Sequence, residues 1–183
     1  GCSSCTQRGT ITQTLDANGN VLSVTDELGR ATSYTYDATL NLTSQSNQLN
    51  GTAVATSYTY NSFGEPLTVT DPLGNVTTNT YDANGNLLSV TSPAPAAGVA
   101  ASVTQFAYDL KGELTQITDP LGRITTLAYT PAGLISTITD AQSHVTTYGY
   151  DLRGNRTSVT DALNNQTTFT YDLLNRLTKI TYP

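Results

Sequence analysis

The sequence predicts an all-β fold of tandem antiparallel β-hairpins, one per repeat of about 21 residues. Three observations carry this. Only 12% of the 183 residues are charged, Met and Trp are absent, and Thr, Ser, Asn and Gly supply the polarity. Thr and Tyr favour strands, whereas Gly, Asn and Asp favour turns. Second, Asp-x-x-Gly recurs in register along the chain. Third, the stretches between its copies have the length of a strand, and half of them alternate with period two, the pattern of one buried and one wet face.

Position zero of the repeat is the residue after the tyrosine, or its equivalent, that ends every second strand. It falls at Asp16, Asp37, Asn61, Asp82, Asp109, Thr130, Asp151 and Asp172, with spacings of 21, 24, 21, 27, 21, 21 and 21 residues. A second Asp lies ten residues later, at Asp26, Asp71, Asp119, Asp140 and Asp161. All eleven Asp residues therefore occupy one of two positions, which assigns them a shared task. In Asp-x-x-Gly the carboxylate accepts a hydrogen bond from the backbone two residues on. Gly takes the positive φ that closes the turn, and Pro in second place presets φ. A type I turn followed by a left-handed Gly is a common hairpin connection.

In chain order, residues 1–9 form a leader, and residues 10–183 form one array of about eight repeats. The first turns run from Asp16 to Gly19 and from Asp26 to Gly29. Strands are expected over 20–25 and, alternating cleanly, over 31–36. Gln45–Gly51 is expected as a longer loop with three extra residues, so that the connection near 45–55 departs from the pattern. Tyr58 and Tyr60 restore the alternation before the Asp71–Gly74 turn. The Asp82–Gly85 turn leads into a strand over 86–91. Then Ser92–Ala101, with six extra residues, makes the second long loop, near 92–102. Both insertions replace the position-ten turn and should leave the same rim. Beyond them the array is regular: Asp119–Gly122, Leu127 and Tyr129, strand 145–150, Asp151–Gly154, strand 166–171 and a last strand over 176–181. In the strand after each position-zero turn the apolar residues are three apart, as in Leu114 and Ile117, which predicts a β-bulge.

Seven tyrosines end the alternating strands: Tyr36, Tyr60, Tyr81, Tyr108, Tyr129, Tyr150 and Tyr171. Such a row can pack with its hydroxyls bonded to backbone, or it can stack on sugar rings; alternation with the inward set favours packing. The only cysteines lie in Cys2-Ser3-Ser4-Cys5. Zinc would need a second pair, haem a His at position 6, and redox chemistry a βαβ context. A terminal disulfide, or thiols bonded to chain elsewhere, is the reading that remains.

The net charge of −6, with eight scattered Lys and Arg, argues against nucleic acid. No apolar run approaches the roughly 18–20 residues of a membrane-spanning helix. No signal peptide is visible, and the chain reads as a piece of something longer. His144, the only His, stands after a turn in which Ser143 replaces Gly, and it reads as exposed. Asp16, Asn18 and Asn20, like Asp82, Asn84 and Asn86, alternate oxygen ligands, but the glycine and distal Glu of a calcium loop are misplaced or missing. The Asp residues are turn formers rather than paired carboxylates. The expectation is no enzyme, no metal and no cofactor.

Tyr81-Asp82-Ala83-Asn84-Gly85-Asn86-Leu87, Tyr150-Asp151-Leu152-Arg153-Gly154-Asn155-Arg156 and Tyr171-Asp172-Leu173-Leu174-Asn175-Arg176-Leu177 resemble the YD repeat, also called the RHS repeat. The resemblance covers residues 10–183. It implies hairpins following one another along a spiralling strip of antiparallel sheet. In bacterial RHS toxins, Tc-toxin C components and teneurins the strip closes into a hollow shell, which in the toxins encloses a C-terminal effector. No core-associated segment or toxin domain is found here, and about eight hairpins are too few for a whole shell. A partial shell, an open spiral or a filament is implied.

The functional expectation is an extracellular structural scaffold, secreted or at a bacterial surface. The alternative is a carbohydrate-binding or adhesion module, or a repeat-built filament. The implied partners are further repeats of the same chain or copies of itself through edge strands, with carbohydrate or an encapsulated effector beyond them.

Overall fold

The computed structural model describes residues 10–49 and 52–183. The fold is all-β and has no helix. The strands are β1 (Thr12–Leu15), β2 (Val21–Thr25), β3 (Ala31–Tyr36), β4 (Leu42–Leu49), β5 (Thr52–Tyr60), β6 (Pro66–Thr70), β7 (Val76–Tyr81) and β8 (Leu87–Thr91). They continue as β9 (Val103–Tyr108), β10 (Leu114–Thr118), β11 (Ile124–Tyr129), β12 (Ile135–Thr139), β13 (Val145–Tyr150), β14 (Arg156–Thr160), β15 (Gln166–Tyr171) and β16 (Leu177–Thr181). Within each of the chain's two units, strand order is the same as chain order.

The chain forms two compact units. The first comprises residues up to Thr80 together with Val90–Ala101, and the second comprises Tyr81–Ser89 with Ser102–Pro183. In the first, β1 to β6 each pair antiparallel with the next strand. In the second, β9 to β15 do the same, and β16 closes the series. Neighbours in sequence are neighbours in space, because five residues suffice to reverse the chain.

The two kinds of turn set the ladder beyond them differently. After a position-ten turn the ladder starts at once: Thr118 pairs Ile124, Ile117 pairs Thr125 and Gln116 pairs Thr126. After a position-zero turn it slips by one residue. Tyr108 pairs Leu114, but Ala107 pairs Gln116, so that Thr115 is an extra residue. The same slip falls at Leu22, Thr43, Leu67, Ser136, Thr157 and Thr178. This bulge brings residues three apart onto one face, which is how Leu114 and Ile117 share a side.

The expected long loop near 45–55 is instead a continued hairpin. Ser46 pairs Ala55, Asn47 pairs Val54, Gln48 pairs Ala53 and Leu49 pairs Thr52. β4 has eight residues and β5 nine, against five and six in β2 and β3, so each arm gains three while the connection shortens from five residues to two, which leaves the register intact. Residues 92–102 do form a long connection, since β8 ends at Thr91 and β9 starts at Val103.

The period-two pattern anticipates one buried face, and the structure modifies that expectation. Among the described residues no side chain is fully buried. Tyr34, Tyr58, Leu127, Tyr148 and Phe169 lie on the apolar face and are half-buried, while Ser33, Thr35, Thr126 and Ala128 on the other face are exposed. Within each unit the strands make a single layer, and a half-buried face is all that one layer can supply. On the polar face, hydroxyls bond across strands: Thr14 with Ser23 at 2.7 Å, Thr35 with Thr43 at 2.9 Å, and Thr59 with Thr68 at 2.6 Å.

Candidate functional site

Recurrent residues are the natural place to look for chemistry, and the turn at Asp82 shows what they do. Asp82 N donates to Asn86 O at 2.9 Å, and Gly85 N donates to Asp82 O at 3.2 Å. The carboxylate closes the same loop. Its Oδ1 accepts from Asn84 N at 2.8 Å and Asn86 N at 2.9 Å, and its Oδ2 accepts from Asn86 Nδ2 at 2.9 Å. Gly85 sits at φ +87°, where an L side chain is strained. The backbone bonds repeat at the Asp16, Asp26, Asp71, Asp119 and Asp151 turns, with Gly19, Gly29, Gly74, Gly122 and Gly154 at positive φ.

The residue four after the Asp, to which the repeat pattern alone assigns no task, completes most of these turns. Asn20, Asn75, Asn155 and Asn165 donate Nδ2 to the Asp Oδ2. Arg30, Arg123 and Arg176 donate Nε to it. His144 sets Nδ1 2.9 Å from Asp140 Oδ2. The signal in the sequence is Asn or Arg recurring after the glycine. It is easily missed, because Asn and Arg look unrelated until their side-chain donors meet one acceptor.

All eleven Asp carboxyls are held below their ordinary value of 3.8. With Asn at position four, as at Asp16, Asp71, Asp82, Asp151 and Asp161, the Asn side-chain bond is the largest cause. With Arg, Glu or His there, the backbone amide of that residue leads. At Asp37 it is the Thr39 hydroxyl. At most turns these donors occupy both oxygens from within the turn, and Asn20 and Asn86 turn amide hydrogens, not oxygens, toward the carboxylate. That arrangement suits a reversal and not the convergent oxygens of a cation site.

Tyrosines link one strand to another. Tyr36 Oη donates to Val21 O at 3.0 Å, Tyr60 to Leu42 O at 2.8 Å, Tyr108 to Leu87 O at 3.0 Å and Tyr129 to Leu114 O at 2.8 Å. Tyr150 donates to Ile135 O at 2.9 Å and Tyr171 to Arg156 O at 3.0 Å. Tyr81 has a partner as well. The β12–β13 ladder covers only Thr137–Thr139 of β12, so the Ile135 carbonyl lies beyond it, and the Tyr150 hydroxyl reaches it there. Each ring is half-buried. Desolvation, then the Tyr58 hydroxyl, pushes the Tyr60 hydroxyl up; desolvation, then the Glu113 charge, does so for Tyr129.

Position four also touches the next repeat. A Cβ added at Gly133 would lie 3.0 Å from Glu113 Oε1, and one at Gly64 would lie 3.4 Å from Asn41 Oδ1. At the last repeat Asn175 stands where Gly is usual, with φ +60°, and its Oδ1 accepts from Asn155 Nδ2 at 3.0 Å. Cys2 and Cys5 lie outside the described residues. Among the described residues no three His, Cys, Asp or Glu side chains cluster as a metal site.

Comparison with known families places a match to the RHS Repeat over residues 16–53, 36–76, 60–97, 108–145, 129–166 and 150–183. A comparison with curated proteins finds no match. Among solved structures the chain is similar to TcdB2-TccC3 without its hypervariable C-terminal region, at 20% identity and a TM-score of 0.77, over 92% of this chain and 10% of that one. It is also similar to a Tc holotoxin pore of Photorhabdus luminescens, at 19% identity and a TM-score of 0.76, again over 92% and 10%. The chain thus spans about a tenth of the length of these solved chains, and the likeness is one of fold.

Proposed function

Because the chain belongs to the RHS-repeat family, we propose that it is a non-enzymatic stretch of wall in a larger repeat-built shell, working outside the cell that makes it. The observation that carries this is the use of the recurrent polar groups. Carboxylates close turns and tyrosine hydroxyls cap carbonyls, so the residues repeated most strictly act on the fold itself. The half-buried apolar face supports the same reading, since a single-layer sheet suits a wall with distinct sides. The likeness in fold to segments of the Tc toxin structures supports it further. A stacking role for the tyrosine row is less favoured, because the rings are half-buried and their hydroxyls engaged.

The test is electron microscopy of the full-length parent protein, with this array located by a tag in the 92–102 loop. The expected result is a hollow particle with the tag on its wall. A compact or extended particle without a lumen would reject the shell. Saturable binding to a glycan array by this chain, weakened by Tyr150→Ala without loss of fold, would favour the adhesion alternative.

A further inference from the structure

We propose that residues 97–101 are a processing site for an endopeptidase with a small primary pocket, of the elastase-like kind. Thirteen of the fifteen connections between strands are five residues long, one is two, and that between β8 and β9 is eleven. Each five-residue turn is closed by two backbone bonds, and most are pinned by an Asp carboxylate besides. In the long connection, by contrast, the turn-type backbone bond is a single one, Val99 N to Ala96 O at 3.1 Å. Residues 94–102 are all exposed, with Val99 at 51%. A protease needs several residues in extended form in its groove, which a pinned five-residue turn cannot offer and a loosely held loop can.

Residue type then selects the protease. No Lys or Arg occurs between Arg30 and Lys111, and no aromatic between Tyr81 and Phe106. Trypsin-like and chymotrypsin-like pockets find nothing in the loop. Ala97, Val99, Ala100 and Ala101 fit the small pocket that defines elastase-like specificity. Pro93 and Pro95 lack the backbone N–H and stiffen the approach, confining cleavage to the part after them. The reaction is hydrolysis: the C–N bond breaks, water adds its oxygen to the carbonyl carbon, and the protons go to the new amine and to solvent.

A cut there leaves Tyr81–Ser89 on the N-terminal fragment, although that segment belongs to the second compact unit. Tyr108 Oη bonds Leu87 O at 3.0 Å across the cut, and Asn86 lies against Gly112. The fragments should therefore stay together. The native chain is digested with pancreatic elastase, trypsin and chymotrypsin in parallel, and products are read by mass spectrometry and native sizing chromatography. The expected result is one early elastase cut between residues 97 and 101, with no early cut there by the other two, and co-elution of the two fragments. Ala97→Asp, Val99→Asp, Ala100→Asp and Ala101→Asp together keep the loop exposed but slow that cut by about tenfold or more. The proposal is overturned by a first cut in any five-residue turn, by an unchanged rate in the Asp variant, by fragments that separate natively, or by resistance of the native chain at doses that degrade the heat-unfolded chain.

Discussion

At the scale of the residue, the repeat uses Asp for its acceptor oxygens. Asn61 makes the point, because its Oδ1 accepts from Phe63 N at 2.9 Å and Glu65 N at 3.0 Å, just as Asp82 does. Asp82→Asn keeps the Oδ1 acceptor but loses the charge and the Oδ2 that accepts from Asn86 Nδ2, so it is expected to lower the melting temperature at pH 7 by less than Asp82→Ala does, as read by circular dichroism. Charge enters through pH. The folded carboxyls lie below 3.8, so their contribution is fully present above that value and is lost as pH falls through the lowered folded values. Urea midpoints should stay flat from pH 7 to about pH 5 and fall below about pH 4. Asp→Asn changes at several turns should flatten that fall; an unchanged slope would place the acid sensitivity elsewhere. For the tyrosines, Tyr150→Phe removes one half-buried hydrogen bond and should cost about 0.5–1.5 kcal/mol in urea unfolding.

At the scale of the element, one turn design serves both reversals, and backbone strain sorts the exceptions. Leu40 holds φ at +68° where the motif prefers Gly, and it is 52% exposed, so little packing is at stake. Leu40→Gly is expected to stabilise by about 1 kcal/mol in chemical denaturation. Gly122 and Gly133 share nearly the same φ, +76° and +77°, but differ in surroundings. A Cβ at Gly122 meets nothing within 4 Å, whereas one at Gly133 meets Glu113. Gly133→Ala should thus lower the urea midpoint more than Gly122→Ala; equal losses would show that strain alone operates. Both turns and the bulge were legible, the bulge from Leu114 and Ile117 lying three apart. The continued β4–β5 hairpin was not. An insertion of polar residues reads equally as loop or as longer arms until cross-strand pairing chooses between them.

At the scale of the whole molecule, a strip of hairpins has outer strands whose backbone groups invite a neighbour. All five residues of β16 are exposed, with Leu177 at 48% and Ile180 at 40%. A polypeptide of residues 10–183 is expected to associate through such edges, giving a concentration-dependent shift in sizing chromatography. Ile180→Lys should reduce it, because a charged edge resists pairing. A clean monomer at every concentration would count against this.

By itself the sequence determined the repeat, its two Asp-x-x-Gly reversals, the alternation of the tyrosine strands and the bulge. These are local matters: turn chemistry acts within five residues and alternation within one strand. Only the tertiary structure decided what crosses from strand to strand. The reach of Tyr150 to Ile135 O, the meeting of Glu113 with Gly133 and the half-burial of the apolar face depend on register and on the single-layer sheet. No residue encodes these alone, because each is a distance between groups brought together only by pairing.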